Sequence, residues 1–382
     1  LNLQHIVIYN FRNHSSTSID CSPGINLFFG NNGEGKTNIL ESISYFCLAK
    51  SFYASSDSIV TKIGENGFAV TGILLSDSGV EYEIRINFDR ILNQKTVTVN
   101  KSRIDKASTL LGRFPAVILS PEKNAITLGS PADRRKFIDF VLSQSNRKYL
   151  DSLIEYRRVL KQRNKMINDI QITRNEKKNE IEPWNYSLIK NGSIIMKKRK
   201  EFIEDFCKIM YDSYREISGP AEKPKIIYSP SVESVGNNDD TIEESFRTAI
   251  ESQYLEELRL GYTILGPHRD DFIFRINDLD VKNFASQGQH KTFLVALKLA
   301  EFYYLKSRCN EKPILLLDDV LSELDKKRCH KLIKAAADTG QVFITSTNEN
   351  ALDGLPAVSA KMRKFFIKDG RIKRVEDSAK TS

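Results

Sequence analysis

The eight residues Gly30-Asn31-Asn32-Gly33-Glu34-Gly35-Lys36-Thr37 constrain this chain more than any other stretch, because they fit the spacing G-x-x-x-x-G-K-[ST]. A strand-like run, Ile25-Asn26-Leu27-Phe28-Phe29, leads into them, and a helix-like run, Asn38-Ile39-Leu40-Glu41-Ser42-Ile43, leads out. Strand, glycine loop and helix in that order predict a phosphate-binding loop and not a chance glycine cluster. Glycines let the backbone fold around a phosphate without a Cβ in the way. The amides then point inward, aided by the positive end of the following helix. In that frame Lys36 reaches the β- and γ-phosphates and Thr37 holds Mg²⁺, so the first expectation is a protein that binds ATP with Mg²⁺.

The second half of such a site is expected at Ile314-Leu315-Leu316-Leu317-Asp318-Asp319. An apolar run ending in two acids reads as a fully buried parallel strand, and ligands sit at the carboxyl ends of such strands. Asp318 is expected to face the Mg²⁺ held by Thr37, and Asp319 to polarise the attacking water. With Lys36 these are the candidate catalytic residues.

Ahead of that strand, Ser286-Gln287-Gly288-Gln289 introduces the apolar-rich helical run Lys291–Lys306. A hydroxyl and a glycine at a helix start form an anion-binding corner, although Ser is also a preferred cap residue. The order of parts decides between these readings. A signature-like loop, a helix, a turn at Asn310-Glu311-Lys312-Pro313, the acidic strand and then Ser322-Glu323-Leu324-Asp325 follow one another as in ABC-type ATPases. One subunit needs only one helix terminus on the γ-phosphate, so a second suggests a shared site. The expectation is an ATP-dependent homodimer, head to tail, in which Ser286, Gly288 and Gln289 of each copy serve the ATP of the other.

A chain of 382 residues has room for roughly two or three domains. Its five cysteines (Cys21, Cys47, Cys207, Cys309 and Cys329) are scattered, with no C-x-x-C pair, and read as reduced thiols of a cytoplasmic protein. No apolar run approaches membrane-spanning length, and the opening Leu1-Asn2-Leu3-Gln4-His5 has no signal-peptide pattern, so no membrane association is expected. The net charge of +8 permits nucleic-acid binding without demanding it. Its distribution says more: residues 147–223 hold 18 Lys and Arg against 12 Asp and Glu, whereas residues 224–258 hold 2 against 8.

The expected fold class is α/β: an ABC-type ATPase head, with a mixed sheet carrying the phosphate loop and an antiparallel β subdomain, plus an inserted α-helical arm. The N-terminal part of the head is placed at residues 1–122, the arm at 123–258, and the C-terminal part of the head at 259–382. Ile6, Ile8 and Phe11 lie in a strand-like opening, Val80–Phe88 alternates as a half-buried strand should, and Asp89–Lys95 turns the chain into Thr96–Val99. From Tyr149, apolar residues recur at Leu153, Tyr156, Leu160, Ile167 and Ile170, a heptad-like seam that Arg163 interrupts. That helix, Tyr149–Gln171, spans about 35 Å. The polar connection Thr173–Glu180 precedes helical stretches around Trp184–Ile195 and Phe202–Ile217. A turn at Gly236–Asp240 and a helix over Thr241–Leu258 return the chain to strand-like sequence near Tyr262.

Several blocks carry a resemblance to a known family, the last two of them most specifically. They are Asn10-Phe11-Arg12-Asn13, Gly35-Lys36-Thr37-Asn38-Ile39-Leu40-Glu41, Ser120-Pro121-Glu122, Asp133-Arg134-Arg135, Gly266-Pro267-His268-Arg269-Asp270-Asp271 and Ser286-Gln287-Gly288-Gln289. On these the chain resembles the RecF family of bacterial recombination mediators, of the ABC/SMC class of ATPases. The resemblance implies a cytoplasmic protein that binds double-stranded and gapped DNA, prefers junctions with single strands, dimerises on ATP and leaves DNA on hydrolysis. It implies RecR and RecO as partners in loading RecA at gaps. By resemblance Arg12 and Asn13 touch the nucleotide, although a capping or turn role fits them as well. For His268 and Arg269, anchoring of a turn and contact with phosphate or a partner both remain open.

The chain departs from transporter ATPases in three places. Thr345-Ser346-Thr347 stands where they carry a histidine, no glutamine-loop residue stands out (Gln94 sits in a hairpin, and Glu122 is a candidate by position alone), and Asp318-Asp319 replaces Asp-Glu. A hydroxyl after the Val342-Phe343-Ile344 strand is expected to contact the γ-phosphate or position water. The shorter second acid predicts slow hydrolysis, a weak DNA-dependent ATPase. The lack of a glutamine loop and switch histidine argues against the energy subunit of a transporter, and the short arm argues against an SMC-like clamp. Asp239-Asp240 and Asp270-Asp271 are too isolated to suggest a nuclease. DNA contact is expected from Arg134, Arg135, Arg157, Arg158, Lys161, Arg163 and the run Lys197-Lys198-Arg199-Lys200, through the backbone and not by base reading, since no recognition motif is visible.

Overall fold

The structure, a computed structural model, describes residues 1–120, 125–174, 178–233, 239–320, 328, 331–334, 340–350, 352 and 362–377. Pro121-Glu122, the Ser322-Glu323-Leu324-Asp325 segment and Cys329 lie outside the described residues, as do parts of the Thr173–Glu180 connection and of the Gly236–Asp240 turn.

The chain begins with strands β1 (Asn2–Phe11), β2 (His14–Asp20) and β3 (Ile25–Phe29), then helix α1 (Lys36–Leu48) and a single turn, α2 (Asp57–Val60). Strands β4 (Gly67–Leu75), β5 (Glu81–Asp89), β6 (Gln94–Val99), β7 (Ser102–Arg103) and β8 (Ala116–Leu119) follow. Four helices come next: α3 (Ala125–Leu128), α4 (Pro131–Ser145), α5 (Arg147–Thr173) and α6 (Lys178–Ser218). Strand β9 (Pro224–Ser229) precedes α7 (Asp239–Ser252) and α8 (Tyr254–Leu260). The remaining described elements are β10 (Asp271–Ile276), β11 (Leu279–Asp280), α9 (Val281–Phe284), α10 (Gln287–Arg308), β12 (Ile314–Leu317), β13 (Val342–Ser346), β14 (Met362–Lys368) and β15 (Arg371–Asp377).

Two compact units result. The first gathers Leu1–Lys123, Ser213–Gly219 and Lys291–Ser382; the second gathers Asn124–Asp212 and Pro220–His290. In the first unit an antiparallel sheet has the order β2-β1-β4-β5-β6-β7, and a mixed sheet has the order β15-β14-β3-β13-β12-β8. Strands β14, β3, β13, β12 and β8 run parallel, in register at Phe28 with Thr345, Leu317 with Ile344, and Leu317 with Leu119. Strands β12, β13 and β8 are buried along their whole length, the burial that the continuous apolar sequences of β12 and β8 require. Parallel register brings the carboxyl ends of β3, β12, β13 and β8 to one edge, where the phosphate loop and Asp318 lie.

The core of this unit joins both sheets: Leu3, Ile6 and Ile84 cluster with Phe28, Ile118, Leu316 and Phe343. Phe11, Tyr45 and Phe68 meet edge to face with centroids 5.2–5.6 Å apart, a geometry the ring quadrupoles favour. Each such side chain, once buried, contributes about 1.5–3 kcal/mol.

The second unit is built on α4, α5 and α6, with α7, α8 and a small sheet of order β11-β10-β9. Tyr149, Leu153, Tyr156, Ile167 and Ile170 form the buried stripe of α5, and Ile167 and Ile170 close against Ile181.

Three features differ from the sequence reading. Trp184–Ile195 and Phe202–Ile217 belong to one continuous helix, α6; the charged run Lys197-Lys198-Arg199-Lys200 had masked the apolar periodicity through its middle. Thr241–Leu258 is split into α7 and α8. No strand forms at Tyr262; Gly261 ends α8 in the left-handed region at φ 84°, and the strand starts at Asp271.

Candidate functional site

The loop Gly30–Thr37 joins β3 to α1 as its flanks predict. Gly33 and Gly35 adopt φ of 83° and 107°, a region that L side chains rarely enter. At Gly35 a Cβ would also stand 2.5 Å from Oδ1 of Asn13 and 2.9 Å from Nε2 of His14, so only glycine fits. No side chain caps α1, whose N-cap is Gly35 itself, and its first amides remain open to an anion. The Lys36 ammonium is buried and folds back on the loop, donating to the carbonyls of Gly30 at 2.7 Å and Asn31 at 2.8 Å. Burial lowers its pKa, an effect that Asp319, Asp318 and Glu34 oppose.

The opening segment braces this loop from behind. Arg12 grips Glu41 of α1 with Nε and Nη2, both at 2.8 Å. Asn38 donates to Asn13 at 2.8 Å, and His14 sits 3.0 Å from the Gly35 carbonyl with its other ring nitrogen on Thr17. Burial pushes the His14 pKa down. The β14–β15 turn supports the crest: the Asp369 and Gly370 amides donate to Glu34.

Across the sheet edge, Thr37 donates to Oδ1 of Asp318 at 2.7 Å. Thr345, at the end of β13, donates to the same oxygen at 2.8 Å while accepting the amide of Asp319 at 2.8 Å. Tyr53 donates to Oδ2 of Asp318 at 2.5 Å. Asp319 takes a positive φ of 48°, turning the chain sharply at the strand end. Of the three hydroxyls Thr345-Ser346-Thr347 expected near the γ-phosphate or its water, that of Thr345 lies between the Asp318 carboxylate and the Asp319 amide, and that of Ser346 binds within its own turn to Asn348. Sequence reasoning missed Tyr53, His14 and Glu41. Glu41 closes a block already singled out in the sequence but without a role, and no motif marks Tyr53 or His14, whose contacts come from residues distant in the chain.

The donor set fits a hydrated Mg²⁺ with a triphosphate: one hydroxyl and one carboxylate, both hard oxygen ligands, stand beside a lysine and uncapped amides. The Ser120 hydroxyl adds to this fit. It is buried at the end of β8, beside the Asp318 strand, with no hydrogen-bond partner among the described residues. Thr37 and Asp318 would hold the cation, and Lys36 with the loop amides would hold phosphate.

In the second unit, Ser286 and Gln289 form a reciprocal cap at the start of α10. The Gln289 amide donates to the Ser286 hydroxyl at 3.2 Å, and the Ser286 amide donates to the Gln289 side chain at 2.9 Å. Gln289 also donates to Glu222 at 2.7 Å. Ser286 is exposed and Gly288 half-buried.

The basic residues of this unit divide into two groups. Arg163 and Arg199, read from sequence as possible DNA contacts, are buried. Arg163 binds Glu257, Thr263 and Asn185 at 2.6–2.7 Å. Arg199 binds Asp139 and Asp270, each at 2.8 Å, and the Pro267 carbonyl at 2.7 Å. Their guanidinium groups are spent on internal carboxylates, so these two are structural. Arg134 is likewise buried and held in bidentate fashion by Asp271, and Arg135 donates to the Asp270 carbonyl. Arg157, Arg158 and Lys161 are exposed on α5, spaced to share one stripe; Arg157 touches Asp139, and Arg158 pairs with Glu155. His268 contacts Tyr156 at 2.7 Å and the Thr263 carbonyl at 3.1 Å, an anchoring role, and burial lowers its pKa to about 4. Arg269 is exposed over the Tyr262 ring.

A family model described as the RecF/RecN/SMC N terminal domain matches residues 2–365. The chain is 40% identical over 351 residues to the DNA replication and repair protein RecF of Chloroherpeton thalassium, covering 91% of this chain and 95% of that one. Against RecF of Leptospira interrogans it is 33% identical over 376 residues, covering 98% and 100%. A solved structure of the recombination mediator protein RecF-ATP in the RecFOR pathway superposes with a TM-score of 0.88 at 32% identity, covering 99% of this chain and 98% of that one. An Smc head domain from Pyrococcus yayanosii has a TM-score of 0.57 at 12% identity over 98% of this chain and 97% of its own, a likeness of fold alone. The ABC-type head expected from the sequence is the fold observed.

Proposed function

The chain belongs to the RecF/RecN/SMC N-terminal domain family, on its RecF branch, and from that premise we propose that it is an ATP-binding protein of DNA replication and recombinational repair. The observation that supports this reading most is the contact of Thr37 with Asp318 at 2.7 Å, beside a lysine and an uncapped helix start. A hydroxyl and a carboxylate so placed suit Mg²⁺ on the β- and γ-phosphates of ATP.

The finer reading is that ATP joins two copies on double-stranded DNA near a single-strand junction. Ser286, Gly288 and Gln289 of one copy approach the nucleotide of the other, and the Ser286–Gln289 cap holds that corner rigid. The negative charge of the γ-phosphate then joins two positive helix ends. Asp319 positions the attacking water, and as an aspartate it supports slow hydrolysis, which separates the copies and frees the DNA. RecO and RecR are the proposed partners, with loading of RecA at gaps as the outcome. DNA contact is assigned to Arg157, Arg158 and Lys161 because they are exposed, whereas Arg134 is buried on Asp271 and Arg135 is half-buried on the Asp270 carbonyl.

Sedimentation of the parent and of Ser286→Arg with ATP, Mg²⁺ and duplex DNA tests this. The variant is expected to bind nucleotide as a monomer and fail to pair. Pairing equal to that of the parent would remove Ser286 from the shared site.

A further inference from the structure

Asp318 has two carboxylate oxygens with different surroundings. Oδ1 receives Thr37 at 2.7 Å and Thr345 at 2.8 Å, whereas Oδ2 receives Tyr53 at 2.5 Å. The terminal torsion of an aspartate is soft, so nothing intrinsic to the residue fixes the plane of its carboxylate beside Thr37. The phenol of Tyr53 does.

We propose that Tyr53 is a positioning residue for the cation seat: by holding Oδ2 of Asp318 it presents Oδ1 to a divalent cation shared with Thr37. This rests on the reading of the site as one for Mg²⁺ and a nucleoside triphosphate.

The placement of Tyr53 is built and not incidental. Ser51 accepts the backbone amides of Tyr53 at 2.9 Å and Ala54 at 2.7 Å, closing a tight turn. The same hydroxyl donates to Glu41, which Arg12 grips with two nitrogens at 2.8 Å. Glu41 lies one turn beyond Thr37 on α1. Of the hydroxyls on Asp318, that of Thr37 therefore sits on α1 and that of Tyr53 is tied to α1 through Ser51 and Glu41. Their separation is set before any cation arrives. Groups that orient a metal ligand from behind commonly change metal affinity about 10-fold or more when removed.

The test is a titration of Mg²⁺ into parent and Tyr53→Phe, read by binding of a fluorescent ATP analogue, alongside the same binding in EDTA. Direct binding of Mn²⁺, followed by electron paramagnetic resonance, gives a readout independent of turnover. The expected result is a rise of about 10-fold in the half-saturating Mg²⁺, with metal-free nucleotide binding and melting temperature unchanged. A half-saturation within about twofold of the parent overturns the inference. An equal loss with and without Mg²⁺ also overturns it, because the phenol would then hold the loop and not the cation. Ser51→Ala, which keeps the phenol but frees its turn, provides a second reading. It should raise half-saturation in the same direction, and a value equal to the parent's overturns the assigned turn. If the parent itself binds no nucleotide under either condition, the triphosphate reading falls first and this inference with it.

Discussion

Thr37 and Asp318 are 281 residues apart in the chain, yet the hydroxyl of one donates to the carboxylate of the other at 2.7 Å. The contact follows from sheet order: β3 and β12 flank β13, and each ends at the same edge. The glycine loop and the acid that ends β12 meet there.

Removing Lys36 should weaken nucleotide binding strongly while leaving the fold intact. Its ammonium now satisfies two loop carbonyls, and a triphosphate would replace them with charged partners. Lys36→Ala is expected to lose about 2–3 kcal/mol of binding, since hydrogen bonds to charged groups are worth about that much. Fluorescence titration should record a loss of about 30–150-fold, with an unchanged far-ultraviolet circular dichroism spectrum.

Arg199 and Lys198 are neighbours with opposite fates. Arg199→Ala takes from Asp139 and Asp270, both buried, the buried cation they share, and should cost about 3–5 kcal/mol. Lys198 is far more accessible and pairs with Glu201 on its own helix, so Lys198→Ala should cost about 0.5 kcal/mol or less. Urea unfolding of the two variants distinguishes them, and equal midpoints would contradict the assignment of Arg199 as internal.

His268 should make stability fall in mild acid. Burial lowers its pKa to about 4 in the folded chain, against about 6.5 when unfolded. The fold therefore favours the neutral ring, and the contribution is complete above the unfolded value. It is lost as pH drops below about 6.5 and levels off below about 4. Between pH 7.5 and 5.0 the loss from this group is about 2 kcal/mol. Denaturation of the parent and of His268→Gln at both pH values should give a smaller acid loss in the variant.

The salt dependence of DNA binding tests the α5 stripe. If Arg157, Arg158 and Lys161 each neutralise a phosphate, reversing all three to Glu should flatten the slope of log K against log salt by about 2–3. An unchanged slope places the footprint elsewhere. Arg134→Ala should act through stability and leave the slope as it was, because Asp271 already holds that guanidinium.

Much of the head was legible before any coordinates. The phosphate loop is a contiguous pattern, so its strand, turn and helix are specified by neighbours in sequence, and Ile314–Leu317 could only be a strand buried on both faces. The arm was legible as helices because its apolar residues repeat with helical period, but its interior charges were misread. Arg163 looked like a break in the seam, and Arg199 like one more cation in an exposed run. Both are buried, with carboxylates supplied by residues 60 to 94 positions away.

Sequence by itself determined most of the local elements and the form of the glycine loop, since backbone freedom, helix ends and hydrophobic period are properties of adjacent residues. Tertiary structure alone decided what each charged or hydroxyl side chain does. An arginine has the same letter whether it meets water or a buried aspartate, and Tyr53 reaches Asp318 only because strand order brings their loops together. Desolvation and hydrogen-bond geometry depend on partners distant in the chain, and those partners are fixed by packing.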